Sequence, residues 1–376
     1  MRRVPVLHLV HTIAYGGIET AVLNWLGRLD GSRFEPHLAC FANPDGSEAP
    51  FVEAAGARGL EVAKIPWGRH KPLVRSARAL VRLLDERRIE ILHTHNPYAD
   101  FVGLAASRMR PVKTITTVYV WDDLGWKRNV LQWLDRAAIR HFDVVSAHCE
   151  DTYRRTLEFG FAQEKVTTLI CGYEAEAVTL SRDERRRGRA ALGADEGDLV
   201  FANIARLWPE KAQEMLLRAF RRVADRHPEA RLWIAGVGPS ESALRALCTG
   251  LGLDDRVRFL GFVKDLPGLL ALVDVMVDPA QAAGVSLAIC SGMAAGLPIA
   301  ATDVGGLREV LKPGHTALLF PKDDEDACVE AMLHLAQDAD QRARLGGAAR
   351  EFLATRYSLA GAVAAVEKTY DSLVTR

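Results

Sequence analysis

The sequence predicts an α/β protein of two Rossmann-like, doubly wound domains. Its 376 residues, 49% of them hydrophobic, exceed one ordinary core and suit two of about 150 to 200 residues each. Short β-branched runs alternate with longer segments of helical period, the pattern of parallel sheets covered by helices on both faces. The alternation breaks once, in the charged stretch SRDERRRGRAALGADEGD after Leu180, and then restarts. The boundary is placed there, giving domains 1–178 and 179–357 and a last helix within 358–376.

In the first domain the runs predict strands at 4–11, 36–41, 61–65, 89–93, 114–118, 143–146 and 166–170. Between them, residues 73–85 form the clearest helix. Leu73, Val74, Ala77, Leu80, Val81 and Leu84 recur on one face, with Arg75, Arg78 and Arg82 opposite, toward solvent. The second domain's strands are expected at 199–204, 231–235, 258–260, 275–277, 299–301 and 318–320. The closing segment carries Leu359, Val363, Val366 and Tyr370 at helical spacing. Two sheets of this kind offer a ligand cleft at the carboxyl ends of their strands.

Charge and composition narrow the function. With 48 basic and 48 acidic residues the chain has no net field toward nucleic acid, and no nucleic-acid partner is expected. Cys40, Cys149, Cys171, Cys248, Cys290 and Cys328 form no CxxC pair and read as reduced core thiols of a cytoplasmic protein. The opening apolar run is broken by His8 and His11, which suits a first strand and not a signal peptide. No run reaches the roughly 18 apolar residues of a membrane span, so any membrane contact is peripheral, at the inner face.

Several motifs fall at strand ends. Tyr15-Gly16-Gly17-Ile18-Glu19 follows the first strand and opens a helix, placing backbone amides at a positive dipole end where glycine permits close approach. Arg206 and Lys211, five residues apart in RLWPEK after the first strand of the second domain, suit one diphosphate without a metal. Gly236-Val237-Gly238-Pro239 is a turn lacking the third glycine of a dinucleotide site. His93 and His95 share a face of the fourth strand. No acidic or third histidine partner stands at a recognisable spacing, so no metal is expected.

The segment 278–306, DPAQAAGVSLAICSGMAAGLPIAATDVGG, completes the set. Together these motifs resemble, in order and over nearly the whole chain, the retaining nucleotide-sugar-dependent glycosyltransferases of family 4. That resemblance implies the GT-B architecture, two facing Rossmann-like domains with a C-terminal helix that crosses back onto the first. It also implies a nucleotide-sugar co-substrate, no metal or other cofactor, and an acceptor that is a glycan, a lipid-linked sugar or a small molecule. Arg206 and Lys211 then correspond to the catalytic cations of the family's R-L-x-x-x-K signature. Gly16, Gly17, Gly236, Gly284, Val285, Ser286 and Leu287 border the donor, with the amides of Val285 and Ser286 on a helix beginning near Gly284. Val263 pairs with the base through its main chain, and His95 offers a polar contact to the sugar. A homo-oligomer or a homologous glycosyltransferase partner fits the same picture.

Three positions depart from the family pattern. Ala283 and Ser291 stand where the family has two glutamates, and Tyr119 stands in the slot of a sugar-facing histidine. Ser291 retains one hydroxyl for the ribose. Tyr119 offers a hydrogen-bond donor but a poor base. Asp122 and Asp123, if turned into the cleft, position an acceptor hydroxyl or amine. The helix after them carries Val130, Leu131, Trp133, Leu134, Ala137 and Ile139 with Lys127, Arg128, Arg136 and Arg140. It reads either as a core-facing helix with solvated arginines or as an aromatic and basic surface for a membrane or sugar acceptor. Two functions stay open: sugar transfer with retention, or a pseudo-glycosyltransferase that binds and assists an active homologue. An epimerase would need cleft carboxylates of which there is no suitable set.

Overall fold

A computed structural model describes residues 2–12, 15–68, 70–119, 121, 126–173, 178–281 and 285–375. Asp122, Asp123, Ala283 and Gly284 lie outside the described residues. The chain divides into two compact units, Met1–Gly172 with Leu359–Arg376, and Tyr173–Ser358.

The first unit is built on seven parallel strands: β1 (Val4–Val10), β2 (Phe34–Ala42), β3 (Val62–Pro66), β4 (Ile91–His95), β5 (Lys113–Val118), β6 (Val144–Ala147) and β7 (Val166–Thr168). Their order is β3-β2-β1-β4-β5-β6-β7, so the direction of winding reverses between β1 and β4. Alternation along β1 decides which side chains meet which helices. Val6 and Val10 pack with Val22, Trp25, Val363 and Val366, under the helices Gly17–Leu26 and Leu359–Val374. Leu7 and Leu9 pack on the other face with Leu80, Leu84 and Val102. His8 shares the side of Val6 and Val10, and so lies beneath the C-terminal helix.

The second unit has six parallel strands: β8 (Leu199–Ile204), β9 (Ala230–Ala235), β10 (Val257–Gly261), β11 (Val275–Asp278), β12 (Ile299–Thr302) and β13 (Leu318–Phe320). The order β10-β9-β8-β11-β12-β13 puts its reversal between β8 and β11. Phe201, Leu216, Phe220, Val223, Leu232, Val275 and Met332 fill one side of this sheet.

The second unit begins at Tyr173, ahead of the charged stretch after Leu180, and that stretch forms the helix Arg182–Ala191. Ser181 and Glu184 cap it reciprocally, Ser181 N–H donating to the Glu184 carboxylate at 2.8 Å and Glu184 N–H to Ser181 Oγ at 3.3 Å. Its inner face is held by Arg185 and Arg189 donating to Asp274 at 2.7 and 2.6 Å, a polar attachment that hydrophobic periodicity does not register. In the helix Leu73–Glu86, Ala77, Leu80 and Leu84 are buried as expected, but Leu73 and Val74 in its first turn are exposed.

Candidate functional site

Arg206 lies in the loop leaving β8, and the chain fixes that loop by backbone pairing. Leu207 N–H donates to Val237 O at 3.0 Å, and Ser240 N–H donates back to Leu207 O at 3.0 Å. Gly236 has φ +145, and a Cβ there would stand 1.9 Å from Ala205 O; one on Gly238 would stand 2.2 Å from Leu207 O. The two glycines thus allow one loop to lie directly on the other. Gln213 closes the base of the loop, donating to Arg206 O at 3.1 Å. Leu207 is buried while Arg206 is exposed, its guanidinium 5.4 Å from the Trp208 ring. Lys211 ends a short 3-10 turn, Pro209–Lys211, just before the helix Gln213–Arg226. Among the described residues neither Arg206 nor Lys211 is held in an ion pair, unlike Arg185 and Arg189 of the same unit.

The other strand at this reversal, β11, leads into the segment that carries Ser291. Asp278 turns its carboxylate onto Ala280 N–H at 3.1 Å, and Thr302 donates to Ala280 O at 2.5 Å, holding the start of the loop. Gln281 N–H donates to Glu210 O at 2.9 Å, tying this loop to the one that carries Arg206 and Lys211. The helix here is Leu287–Ala294, with Ser286 as its N-cap accepting from Ile289 N–H at 3.4 Å. It therefore begins at Leu287 and not near Gly284, because Ser286 takes the extended capping conformation. Val285 is buried and Ser291 half-buried. On the far side of the sheet edge, Val263 is half-buried after Gly261, whose carbonyl accepts from Gly236 N–H at 2.8 Å.

In the first unit, Gly16 precedes the helix Gly17–Leu26, as expected. Its N–H donates to the Glu19 carboxylate at 3.1 Å, so one of the amides assigned to a ligand already has an internal acceptor. Tyr119 follows β5 and is partly exposed. Its hydroxyl lies 3.0 Å from His95 Nδ1, and His95 Nε2 lies 3.0 Å from His8 Nδ1. His95 is fully buried with both ring nitrogens engaged, so its route to any ligand is through Tyr119.

The structure supplies the third histidine that spacing did not. His8 and His93 are register partners on β1 and β4, and with His95 they place ring nitrogens within 4.8 Å of one another. That is a ligand count a metal site could use, but each of the six ring nitrogens is hydrogen-bonded within the unit. Burial lowers the pKa of His8 to about 3 and those of His93 and His95 well below the ordinary value, so all three rings are neutral. Burial also keeps the Tyr119 hydroxyl protonated. Sequence reasoning missed two more neighbours, His148 after β6 and Cys171 after β7, whose Nδ1 and Sγ are 3.3 Å apart. Their position just past strand ends was the available signal.

Residues 16–172 match the glycosyl transferase 4-like domain, and residues 198–338 match the domain of glycosyl transferases group 1. The fold matches that of Anabaena Alr3699/HepE, solved with UDP and glucose, at a TM-score of 0.87 and 19% identity, covering 98% of this chain and 100% of that one. The chain is a GT-B glycosyltransferase. Among its relatives, N-acetyl-alpha-D-glucosaminyl L-malate synthase of Bacillus anthracis is 26% identical over 78% of this chain and 77% of its own length. UDP-Gal:alpha-D-GlcNAc-diphosphoundecaprenol alpha-1,3-galactosyltransferase of Escherichia coli is 23% identical over 89% of each.

One helix of this glycosyltransferase departs from the core-facing reading. In Trp126–Ile139, Trp126, Val130, Trp133 and Leu134 are exposed at helical spacing, while Asp135, Ala138 and Ile139 face inward. Arg136 is half-buried with its guanidinium 4.0 Å from the Phe159 ring, and Arg140 is exposed, 4.7 Å from the Phe161 ring. Among the described residues no helix is long and apolar enough to cross a membrane.

Proposed function

We propose that this glycosyltransferase moves a sugar from a nucleoside-diphosphate donor to an acceptor hydroxyl with retention, without a metal. The observation that carries the reading is the pair Arg206 and Lys211, two cations outside any ion pair on a loop clamped by Gly236 and Gly238. A fixed guanidinium and ammonium neutralise a diphosphate and the charge that grows on it as it leaves. In the retaining, front-face chemistry, the bond from the sugar to the leaving phosphate oxygen breaks, and that oxygen takes the acceptor's proton. Such a reaction relies on phosphate stabilisation more than on a side-chain base, and tolerates Ala283 and Ser291 in place of carboxylates. Ser291 is assigned to the ribose, the Val263 main chain to the base, and Tyr119 to a hydroxyl of the transferred sugar.

The UDP and glucose named for HepE and the UDP-sugar named for the Escherichia coli relative support a nucleotide-sugar donor here. The names of both relatives, a synthase and a transferase, favour catalysis over an accessory role. The acceptor is assigned to the class of glycans, lipid-linked sugars and small hydroxyl metabolites. For a lipid-linked acceptor, the exposed stripe Trp126, Val130, Trp133 and Leu134 is assigned to peripheral contact with a lipid surface. The deciding experiment is calorimetric titration of the pure protein with UDP, GDP, ADP and their sugar conjugates. Tighter binding of one nucleotide sugar than of its bare nucleotide is expected; silence across the panel overturns the proposal.

A further inference from the structure

Tyr119 terminates a continuous line of hydrogen bonds running through the first unit. From His95 the line passes to His8, then from His8 Nε2 to Tyr370 Oη at 2.7 Å and from Tyr370 Oη to His93 Nδ1 at 2.8 Å. It continues from His93 Nε2 to Thr117 Oγ1 at 2.7 Å and ends on Ser146 Oγ at 2.8 Å. Every member except Tyr119 is buried, and Tyr370 is contributed by the C-terminal helix Leu359–Val374. Trp25 covers the histidines, its ring 6.0 Å from His93 and 6.2 Å from His95.

A neutral imidazole has one donor and one acceptor, and each hydroxyl donates once. These rules leave only two ways to satisfy the whole line. In one, Tyr119 donates to His95 and all three rings carry hydrogen on Nε2, leaving the Tyr119 oxygen to accept from outside. In the other, all three carry it on Nδ1, His95 donates to Tyr119, and the Tyr119 hydroxyl is turned outward as a donor. The two arrangements hold the same number of protons and no charge.

We propose that His8, His93, His95 and Tyr370 are positioning residues that act as one tautomeric unit and set whether Tyr119 donates or accepts toward its ligand. A ligand that demands a donor at Tyr119 selects the Nδ1 set, and the selection extends to Tyr370 on the C-terminal helix. That this ligand is a sugar hydroxyl rests on the function proposed above. The coupling of tautomers does not, so a failure of nucleotide-sugar binding removes the ligand and leaves the relay standing.

The test is long-range proton–nitrogen NMR on protein labelled with nitrogen-15 at histidine, which reads the tautomer of each ring. Wild type should show His8, His93 and His95 all in one tautomer and unprotonated. Mixed tautomers, or a protonated ring, overturn the proposal. Changes at the two ends should have opposite effects, because an unpaired buried N–H costs more than an unpaired acceptor. Tyr119→Phe leaves His95 Nδ1 alone and should place all three rings in the Nε2–H form, His93 included. Thr117→Val leaves His93 Nε2 alone and should place all three in the Nδ1–H form, His95 included. An effect confined to the neighbouring ring overturns the relay. Tyr370→Phe should interrupt it, so that an end change no longer reaches the other end; transmission that persists without the Tyr370 hydroxyl overturns its role. Should that variant not fold, the two end variants decide the matter by themselves.

Discussion

The carbonyl oxygen of Ala205 occupies the space that a Cβ on Gly236 would need, 1.9 Å from its ideal position. Gly236 also holds φ +145, a region that side chains rarely adopt. Strain of this kind costs about 1–3 kcal/mol before any clash is counted. Gly236→Ala should therefore lower the unfolding free energy by at least that amount in denaturant titration and weaken nucleotide binding through displacement of the Arg206 loop. An unchanged midpoint would show that the clamp yields at no cost.

Arg206 and Lys211 make a sharper prediction, because neither has an ion-pair partner to lose. Their removal should leave stability within about 0.5 kcal/mol, as for ordinary surface positions. A charge-assisted hydrogen bond contributes about 1.5–3 kcal/mol, so Arg206→Ala and Lys211→Ala should each weaken nucleotide-diphosphate binding by roughly 10- to 150-fold. Calorimetry of each variant beside its melting curve separates the two effects. Unchanged affinity in the double variant would refute the donor assignment.

How much of this was readable beforehand depended on what kind of contact makes each feature. The strand β8 falls where its apolar run places it, since burial on both faces of a parallel sheet writes a near-continuous hydrophobic signal. The helix Arg182–Ala191 was hidden because Arg185 and Arg189 attach it through Asp274, not through apolar side chains. His93 and His95 were visible as a pair, but His8 and Tyr370 join them from positions 85 and 277 residues from His93, and only strand order and the returning helix bring them together. The exposed stripe on Trp126–Ile139 was legible as apolar residues at helical spacing, while the side it presents was not, because a carboxylate, Asp135, is turned inward with Ala138 and Ile139.

That stripe predicts a surface property separable from folding. Trp133 is 62% exposed, so Trp133→Ser should leave the melting temperature nearly unchanged. Helices with an aromatic face and basic neighbours bind anionic interfaces through both terms. Sedimentation with phosphatidylglycerol vesicles should capture the wild-type protein, less in high salt, and Trp133→Ser should reduce the captured fraction. Equal recovery of both proteins in the supernatant would dismiss the membrane contact.

Asp135 is buried on the inner side of the same helix, beside Asp100 of the helix Pro97–Met109. Thr116 donates to the Asp100 carboxylate at 2.7 Å, and Thr94 donates to it as well. Burial raises the pKa of both acids, and the negative charge of Asp100 raises that of Asp135 further, so the pair keeps a proton well above the usual carboxylate range. An acid whose pKa is higher folded than unfolded binds more protons in the native state, so the stability contributed by this pair is fully present below about pH 4 and is lost as the pH rises toward the pKa of the folded pair. Asp135→Asn keeps a donor toward Asp100 and removes the proton that must be retained. The wild-type melting temperature should drop between pH 5 and pH 8 through this pair, and the variant should show a flatter profile and melt higher than wild type at pH 8. Parallel profiles for the two proteins would mean that both carboxyls titrate normally and that the helix is held by its other contacts.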